Sequence, residues 1–291
     1  MLTTARHLDG AHLRELAADT SASYRSAQPF PHTVIEDLVD PELAARLVEE
    51  FPRPADIAWQ EFQSENELKL ATNDEAKLGP ATVGVLRDLT SSRFVDFLER
   101  LTGIEGLVPD PHHVGGGLHQ IKPGGYLRIH ADFNKHPRLH LDRRLNLILF
   151  LNPGWREEWG GHLELWDREM HACERRVLPV LNRCVIFNTT SWAYHGHPSP
   201  LTCPPEVTRR SLALYYYTNG RPAADGPQHA HSTLFKRSAG ERRTVDGAAV
   251  RATLDRVARD VTPPVVVRGL RSLRARRRAR DGHDPSRTAG A

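Results

Sequence analysis

A series of short, strand-like segments, separated by glycine, proline and asparagine, runs from about residue 115 to residue 218. The clearest is LNLILFL at residues 145–151, an apolar run with the length of a buried strand. Further candidates of similar length lie at residues 163–166, 176–181, 184–188 and 211–218. Because these strands follow one another without alternating helices, the pattern predicts an antiparallel barrel or sandwich, with a jelly roll as the best choice.

Helical patterns flank the strand-rich segment. A helix is predicted from Asp40 or Pro41 onward, a second over residues 81–101 and a third over residues 248–261, whereas residues 52–79 are polar and irregular. The predicted fold is therefore mainly β with flanking helices. The expected divisions are an N-terminal extension (residues 1–28), a helical support region (29–114), a β core (115–222) and a C-terminal helix with a basic tail (223–291).

The net charge of +3 comes from one end of the chain. Residues 268–280 contain seven arginines and no acidic residue, and subtracting these charges leaves −4 for the rest. A basic body that binds nucleic acid is therefore not expected, and a solvated tail is the simplest interpretation. The sequence contains no long apolar run for a membrane span and no signal-peptide core, and its three cysteines match no disulfide or zinc pattern. These features predict a cytoplasmic location.

A His-x-Asp triplet is the most informative polar motif. His130 and Asp132 lie in GGYLRIHADFN, where a strand would project both side chains from one face toward a single ion. Together with a distant histidine, such a pair forms the facial triad of non-heme iron enzymes. The same pattern occurs at residues 7–9 and 140–142, in a helical stretch and in a polar, basic stretch. The triplet at His130 alone follows a Pro-Gly-Gly turn and a strand-like segment.

Five segments in a fixed order carry a family resemblance. They are IKPGGYLRIHADFN, RRLNLILFLNPGW, WGGHLELWD, YHGHPSP and TRRSLALYYYT, spread over about 100 residues. The order resembles the prolyl-4-hydroxylase-like branch of the iron(II)/2-oxoglutarate-dependent dioxygenase superfamily, whose fold is a double-stranded β-helix, a jelly-roll variant. The resemblance implies Fe(II), 2-oxoglutarate as co-substrate, O2 as oxidant and ascorbate as a reductant, with succinate and CO2 released.

The resemblance also implies a metal-ligand set. His130 and Asp132 match the proximal ligands of the family, and the distal ligand is a histidine of YHGHPSP. Two histidines of that segment, His195 and His197, compete for this role. His195 is preferred because the family's distal histidine usually stands a few residues before a proline-containing turn, and His197 remains the alternative.

The expected co-substrate contacts follow from the same resemblance. Arg209 and Ser211 match the family's Arg-x-Ser, and a planar guanidinium suits the far carboxylate of 2-oxoglutarate. Asn146 and Phe150 stand where the family commonly has a threonine and a tyrosine whose hydroxyls contact 2-oxoglutarate. Asn146 keeps a hydrogen-bond donor and Phe150 does not. Ile121 replaces another tyrosine often found in the family.

The substrate is less constrained than the co-substrate. Asn134 and Arg128 lie near the predicted metal ligands, and Trp155 lies on a loop that could border the pocket. The departures at Phe150 and Ile121 favour hydroxylation of an unactivated C–H bond in a small molecule or natural-product intermediate. Three alternatives stay open: a protein prolyl hydroxylase, a non-catalytic jelly-roll binding protein, and a cupin-like metalloenzyme that does not use 2-oxoglutarate.

Overall fold

The computed structural model describes residues 8–222 and 229–237, all within one unit, Met1–Ala239. In chain order, the helices of these residues are α1 (Gly10–Ser26), α2 (Pro41–Glu50), α3 (Pro80–Leu89) and α4 (Ser92–Thr102). The strands are β1 (His32–Ile35), β2 (Gln60–Gln63), β3 (Leu68–Thr72), β4 (Val108–Pro109), β5 (Gly117–Ile121), β6 (Leu127–Ala131), β7 (Asp142–Phe150), β8 (Leu163–Trp166), β9 (Cys173–Val177), β10 (Cys184–Asn188), β11 (His195–His197), β12 (Arg209–Thr218) and β13 (Leu234–Phe235).

The strands form two antiparallel sheets. The larger has the order β1-β10-β7-β12-β5-β3-β2, with β4 also pairing with β12, and the smaller has the order β13-β6-β11-β8-β9. Strands that are neighbours in a sheet are often distant in sequence, as with β1 and β10 or β7 and β12. The predicted class, a mainly β protein with flanking helices and a double-stranded β-helix core, is confirmed.

Residue alternation along β7 and β12 separates the core from the interior of the β-helix. Leu147 of β7 and Leu212 and Leu214 of β12 belong to the apolar cluster that includes buried residues of all four described helices. Asn146 of β7 and Ser211 of β12 belong to the opposite face and line a cavity. Because successive strand residues project to opposite faces, one pair of strands supplies both the core and the lining of a site.

The N-terminal region contributes to this core. Leu13, Ala17 and Tyr24 of α1 are buried in the cluster, and the Tyr24 hydroxyl donates a hydrogen bond of 2.6 Å to Asn188 Oδ1. The structure therefore places much of the expected N-terminal extension, residues 10–26, against the core. The predicted helix at 248–261 and the basic segment at 268–280 lie outside the described residues.

Three local expectations differ from the structure. The strand expected over residues 176–181 is β9, which ends at Val177. The single helix expected over residues 81–101 is two helices, α3 and α4, with a break at Thr90 and Ser91. The Thr90 hydroxyl donates to the Leu86 carbonyl at 2.9 Å and the Ser91 hydroxyl to the Asp88 carbonyl at 2.6 Å, so both compete with the continuing helix. Residues 52–79, expected to be irregular, contain the β2–β3 hairpin, which extends the large sheet beside β5.

Within the described residues, no helix combines the length and the apolar character that crossing a membrane requires.

Candidate metal centre

Two neighbouring strands of the small sheet bring three ligand side chains together. His130 on β6 is paired directly with His195 on β11, and Asp132 follows β6 at its end. His130 Nε2 lies 3.5 Å from Asp132 Oδ1, and His195 Nε2 lies 3.4 Å from Asp132 Oδ2. One ligand atom from each residue lies within 4.8 Å of the others, and in the described ranges no other cluster of histidine, cysteine and acidic residues meets this criterion.

The two histidines are oriented by backbone carbonyls. Nδ1 of His130 lies 2.8 Å from the Arg128 carbonyl, and Nδ1 of His195 lies 3.0 Å from the Ala193 carbonyl. A carbonyl only accepts, so each Nδ1 is the protonated nitrogen, and Nε2 is left with its lone pair. Imidazoles held in this way, together with a carboxylate on one side, suit a divalent transition metal such as iron.

Asp132 is surrounded by groups that favour its charged form. Asn146 Nδ2 donates to Asp132 Oδ2 at 2.7 Å, and the Arg143 guanidinium lies 3.1 Å from the same oxygen. Burial alone would raise the pKa of Asp132, but Arg143, with His195 and His130, holds it well below its usual range. The carboxylate is therefore ionised and fixed, as a metal ligand must be.

The other His-x-Asp triplets do not form such a site. His7 lies outside the described residues. His140 is exposed at a positive φ of 58°, and Asp142 is paired with Lys135 at 2.9 Å. The distal candidate His197 is not part of the three-residue cluster either.

A cavity, here called the Arg209 cavity, adjoins the three ligands. Its walls include His130, Asp132, His195, Asn146, Ser211 and Arg209, so it unites every metal and co-substrate residue expected from the sequence. Arg209 is 6% exposed, and its Nε donates to the Gly161 carbonyl at 2.7 Å. Burial lowers the pKa of Arg209 to about 9. No carboxylate of the described residues forms an ion pair with this guanidinium, which leaves a buried cation facing the cavity.

Sequence reasoning did not assign several other residues of this cavity. Lys69 comes from the β2–β3 hairpin and forms an ion pair of 2.8 Å with Glu67. His119 comes from β5, and burial, with the nearby Lys69 cation, lowers its pKa to about 3. The alternation in LKLAT at residues 68–72 indicates a strand, but nothing in it indicates that a lysine faces a site.

A second cavity, the Arg143 cavity, shares His130 and Asp132 with the first. Arg143 itself is fully buried and lies between two aromatic rings, 3.4 Å from the centre of the Tyr215 ring and 4.5 Å from that of Phe133. Further walls come from Phe62 and Lys69 of the hairpin and from Thr233 and Phe235 of residues 229–237, here called the C-terminal segment. A substrate placed here would lie beside the metal ligands.

The three residues expected to face the substrate do not line either cavity. Asn134 holds the C-terminal segment instead, donating to the His229 carbonyl at 2.8 Å and accepting from the His231 amide at 2.9 Å. Arg128 donates to the Glu65 carbonyl at 2.6 Å. Trp155 packs in a separate apolar cluster, and its indole donates to the Gly160 carbonyl at 3.0 Å.

Gly161 gives a first testable prediction. A Cβ at this position would lie 2.7 Å from Leu201 Cδ2 and 3.1 Å from Arg209 Cδ, so Gly161→Ala should displace the guanidinium. Gly160→Ala is a matched control, since both glycines have similar positive φ values of 72° and 69° but a Cβ at Gly160 meets nothing within 4 Å. We expect Gly161→Ala to weaken binding of a dicarboxylate in the cavity by roughly tenfold. Calorimetric titration of both variants with 2-oxoglutarate measures the effect, and equal affinities would contradict it.

Comparison with known proteins shows similarity to one oxygenase superfamily. The model of the 2OG-Fe(II) oxygenase superfamily matches residues 116–217. Prolyl 3-hydroxylase OGFOD1 of Mus musculus is 29% identical over 79 residues, which are 26% of this chain and 14% of the relative. The chain thus matches about one-seventh of the length of this curated relative. The matched region agrees with the superfamily expected from the five sequence segments, and the curated relative is named as a prolyl hydroxylase.

The solved structures that match this chain are more distant in sequence. A prolyl-4-hydroxylase of Pseudomonas putida is 16% identical with a TM-score of 0.48, covering 70% of this chain and 100% of that one. HygX of Streptomyces hygroscopicus, solved with nickel, 2-oxoglutarate and hygromycin B, is 12% identical with a TM-score of 0.44, covering 70% and 92%.

Proposed function

We propose that this chain, whose residues 116–217 match the model of the 2OG-Fe(II) oxygenase superfamily, is an iron(II)- and 2-oxoglutarate-dependent dioxygenase that hydroxylates an unactivated C–H bond. His130, Asp132 and His195 would hold the iron. One observation carries the proposal: the buried guanidinium of Arg209, without a carboxylate partner among the described residues, lines the same cavity as these three ligands.

An unpaired buried cation is costly, because burial removes water that no counter-charge replaces. An anionic ligand in the Arg209 cavity would offset that cost through charge-assisted hydrogen bonds. 2-Oxoglutarate matches the chemistry of the residues that line the cavity. Its keto and adjacent carboxylate oxygens are metal ligands, and its far carboxylate suits Arg209 and the Ser211 hydroxyl.

The protein's own groups have separate tasks in this reaction. Bound iron and 2-oxoglutarate would supply oxidation of the C–H bond by O2, with release of succinate and CO2. Asn146 and Arg143 hold Asp132 in its ligating orientation through hydrogen bonds to its Oδ2 side. Arg209 fixes the co-substrate, and the aromatic walls of the Arg143 cavity exclude water from the side where a substrate would bind.

A small molecule is the proposed substrate class. The Arg143 cavity is walled by residues from separate parts of the chain, including the hairpin, the turn at Gly115, Phe133 after β6, and Phe235 of residues 229–237. Such a concave site with mixed aromatic and polar walls is typical of small-molecule recognition. A second candidate is a prolyl residue of a protein, which the similarity to a mouse prolyl 3-hydroxylase favours.

Substrate-dependent succinate formation tests the proposal. The protein is incubated with iron(II), ascorbate, O2 and 2-oxoglutarate, together with either a metabolite extract or a set of proline-containing peptides. We expect succinate to rise with the extract, with a mass gain of one oxygen on one of its components. A gain on peptides alone would replace the small-molecule assignment by the prolyl one. Binding of iron without any binding of 2-oxoglutarate would instead favour a cupin-like or non-catalytic jelly roll.

A further inference from the structure

His197 is a buried histidine without an assigned task. Its side chain lines the Arg209 cavity, and the residue is 3% exposed. Both ring nitrogens, Nδ1 and Nε2, are buried and have no hydrogen-bond partner among the described residues. By contrast, His130 and His195 each have Nδ1 bonded to a backbone carbonyl. A buried polar group left unpaired is destabilising, so the imidazole of His197 lacks a partner that a ligand could provide.

The position of His197 separates it from the metal centre. The residue lies two positions after His195 on β11, which corresponds to about 6–7 Å along a strand. Its partner across the sheet is Leu127, whereas His195 is opposite His130, and the pairing is irregular between the two histidines. His197 is not in the three-residue ligand cluster. It is therefore placed further along the cavity than the metal ligands are.

The same cavity lacks two hydroxyl groups that the resemblance leads one to expect. Ile121 lines it where a tyrosine is often found. Phe150 stands at the other such position, and its ring packs behind the lining, 4.9 Å from the guanidinium carbon of Arg209. Neither side chain donates a hydrogen bond. A carboxylate beside Arg209 accepts up to four hydrogen bonds, more than the guanidinium and Ser211 alone would provide.

We propose that His197 donates a hydrogen bond from a ring nitrogen to the far carboxylate of 2-oxoglutarate, beside Arg209, in place of the missing hydroxyls. The inference rests on the proposed function. It holds for the neutral and the protonated imidazole alike, since each carries at least one N–H. The effect is on co-substrate affinity and selectivity, and iron binding is left intact.

The test compares two 2-oxo acids on two proteins. Wild-type protein and His197→Leu, each loaded with iron(II) under anaerobic conditions, are titrated with 2-oxoglutarate and with 2-oxopentanoate, which lacks the far carboxylate. We expect His197→Leu to keep its iron and to bind 2-oxoglutarate roughly 10- to 100-fold more weakly. The affinity for 2-oxopentanoate should change by less than about threefold, because this acid has no far carboxylate to which the imidazole could donate.

Several controls separate the outcomes. His32→Leu removes another buried imidazole, on β1 and outside the cavity, and should leave both affinities unchanged. His197→Gln keeps a donor and should lose less than His197→Leu, and His197→Met replaces the leucine variant should that one not fold. Equal losses for both acids, no loss for either, or loss of iron would each overturn the inference. Failure of the wild-type protein to bind 2-oxoglutarate would instead overturn the proposed function, and the inference with it.

Discussion

Arg209→Leu is expected to weaken 2-oxoglutarate binding by about a hundredfold or more while iron content stays at the wild-type level. The guanidinium is buried, lines the cavity beside the metal ligands and has no carboxylate partner in the described part of the chain. Truncating one member of a buried, charge-assisted pair typically costs 2–5 kcal/mol, and 1.4 kcal/mol corresponds to a factor of about ten. Anaerobic titration of the iron(II)-loaded variant with 2-oxoglutarate measures the loss.

The adjacent arginine provides the matched control. Arg210 projects to the other face of β12, where its guanidinium lies 5.4 Å from the Phe51 ring centre and its Nε donates to the Thr208 hydroxyl. Arg210→Leu should therefore bind 2-oxoglutarate as the wild type does. Arg209→Lys keeps the charge but not the planar fork, and we expect an intermediate affinity. Wild-type affinity in Arg209→Leu would exclude this residue as the carboxylate partner.

Removal of two proximal ligands is expected to abolish iron binding. In the double variant His130→Ala, Asp132→Asn, only His195 of the three ligands remains, and a single imidazole does not hold iron(II) at micromolar concentration. Asparagine is chosen at 132 because its carbonyl still accepts from Arg143, which would otherwise be a buried cation without its partner. Iron content after gel filtration, measured by elemental analysis, should fall from one equivalent to near zero.

Two further variants make the metal result specific. His140→Ala alters the other described His-x-Asp triplet at an exposed position and should retain iron. His197→Leu should retain iron too, since this histidine lies outside the ligand cluster. Circular dichroism of each variant checks that the fold is kept. Full iron content in the double variant would show that the metal lies elsewhere.

The residues that the sequence assigned to the metal and the co-substrate stand on short strands, where a two-residue period places side chains on one face. His130 with Asp132, and Arg209 with Ser211, are each two residues apart, and in the structure each pair lines one cavity. The pairing of β11 with β6 brings His195 opposite His130, and no local sequence pattern contains this long-range contact. The expectation that His195 joins the site came from the order of the five sequence segments.

The substrate side could not be predicted in the same way. Asn134 is close to Asp132 in sequence, yet its amide binds the backbone at His229 and His231, about a hundred residues later. Phe235 pairs with His130 through β13 and lines the Arg143 cavity, although the sequence after Gly220 shows no strand pattern. Such contacts depend on where a returning segment docks, and that is decided by tertiary packing rather than by local propensity.

The break between α3 and α4 illustrates a smaller failure. Apolar residues continue at near-helical spacing across Thr90 and Ser91, so periodicity alone favours one helix. The two hydroxyls bind carbonyls of the preceding turn, and Ser91 becomes the residue that starts the next helix. Short polar side chains that compete for backbone groups are local signals of a helix end, and here they outweigh the apolar pattern.

Anaerobic titration of the iron(II)-loaded wild-type protein with 2-oxoglutarate tests the central claim most directly. Chelation of iron(II) by the keto and carboxylate oxygens of 2-oxoglutarate produces a visible charge-transfer band. We predict that this band appears, saturates at one equivalent, and is absent from the His130→Ala, Asp132→Asn variant. A protein that binds one equivalent of iron but shows no band at any 2-oxoglutarate concentration would contradict the assignment.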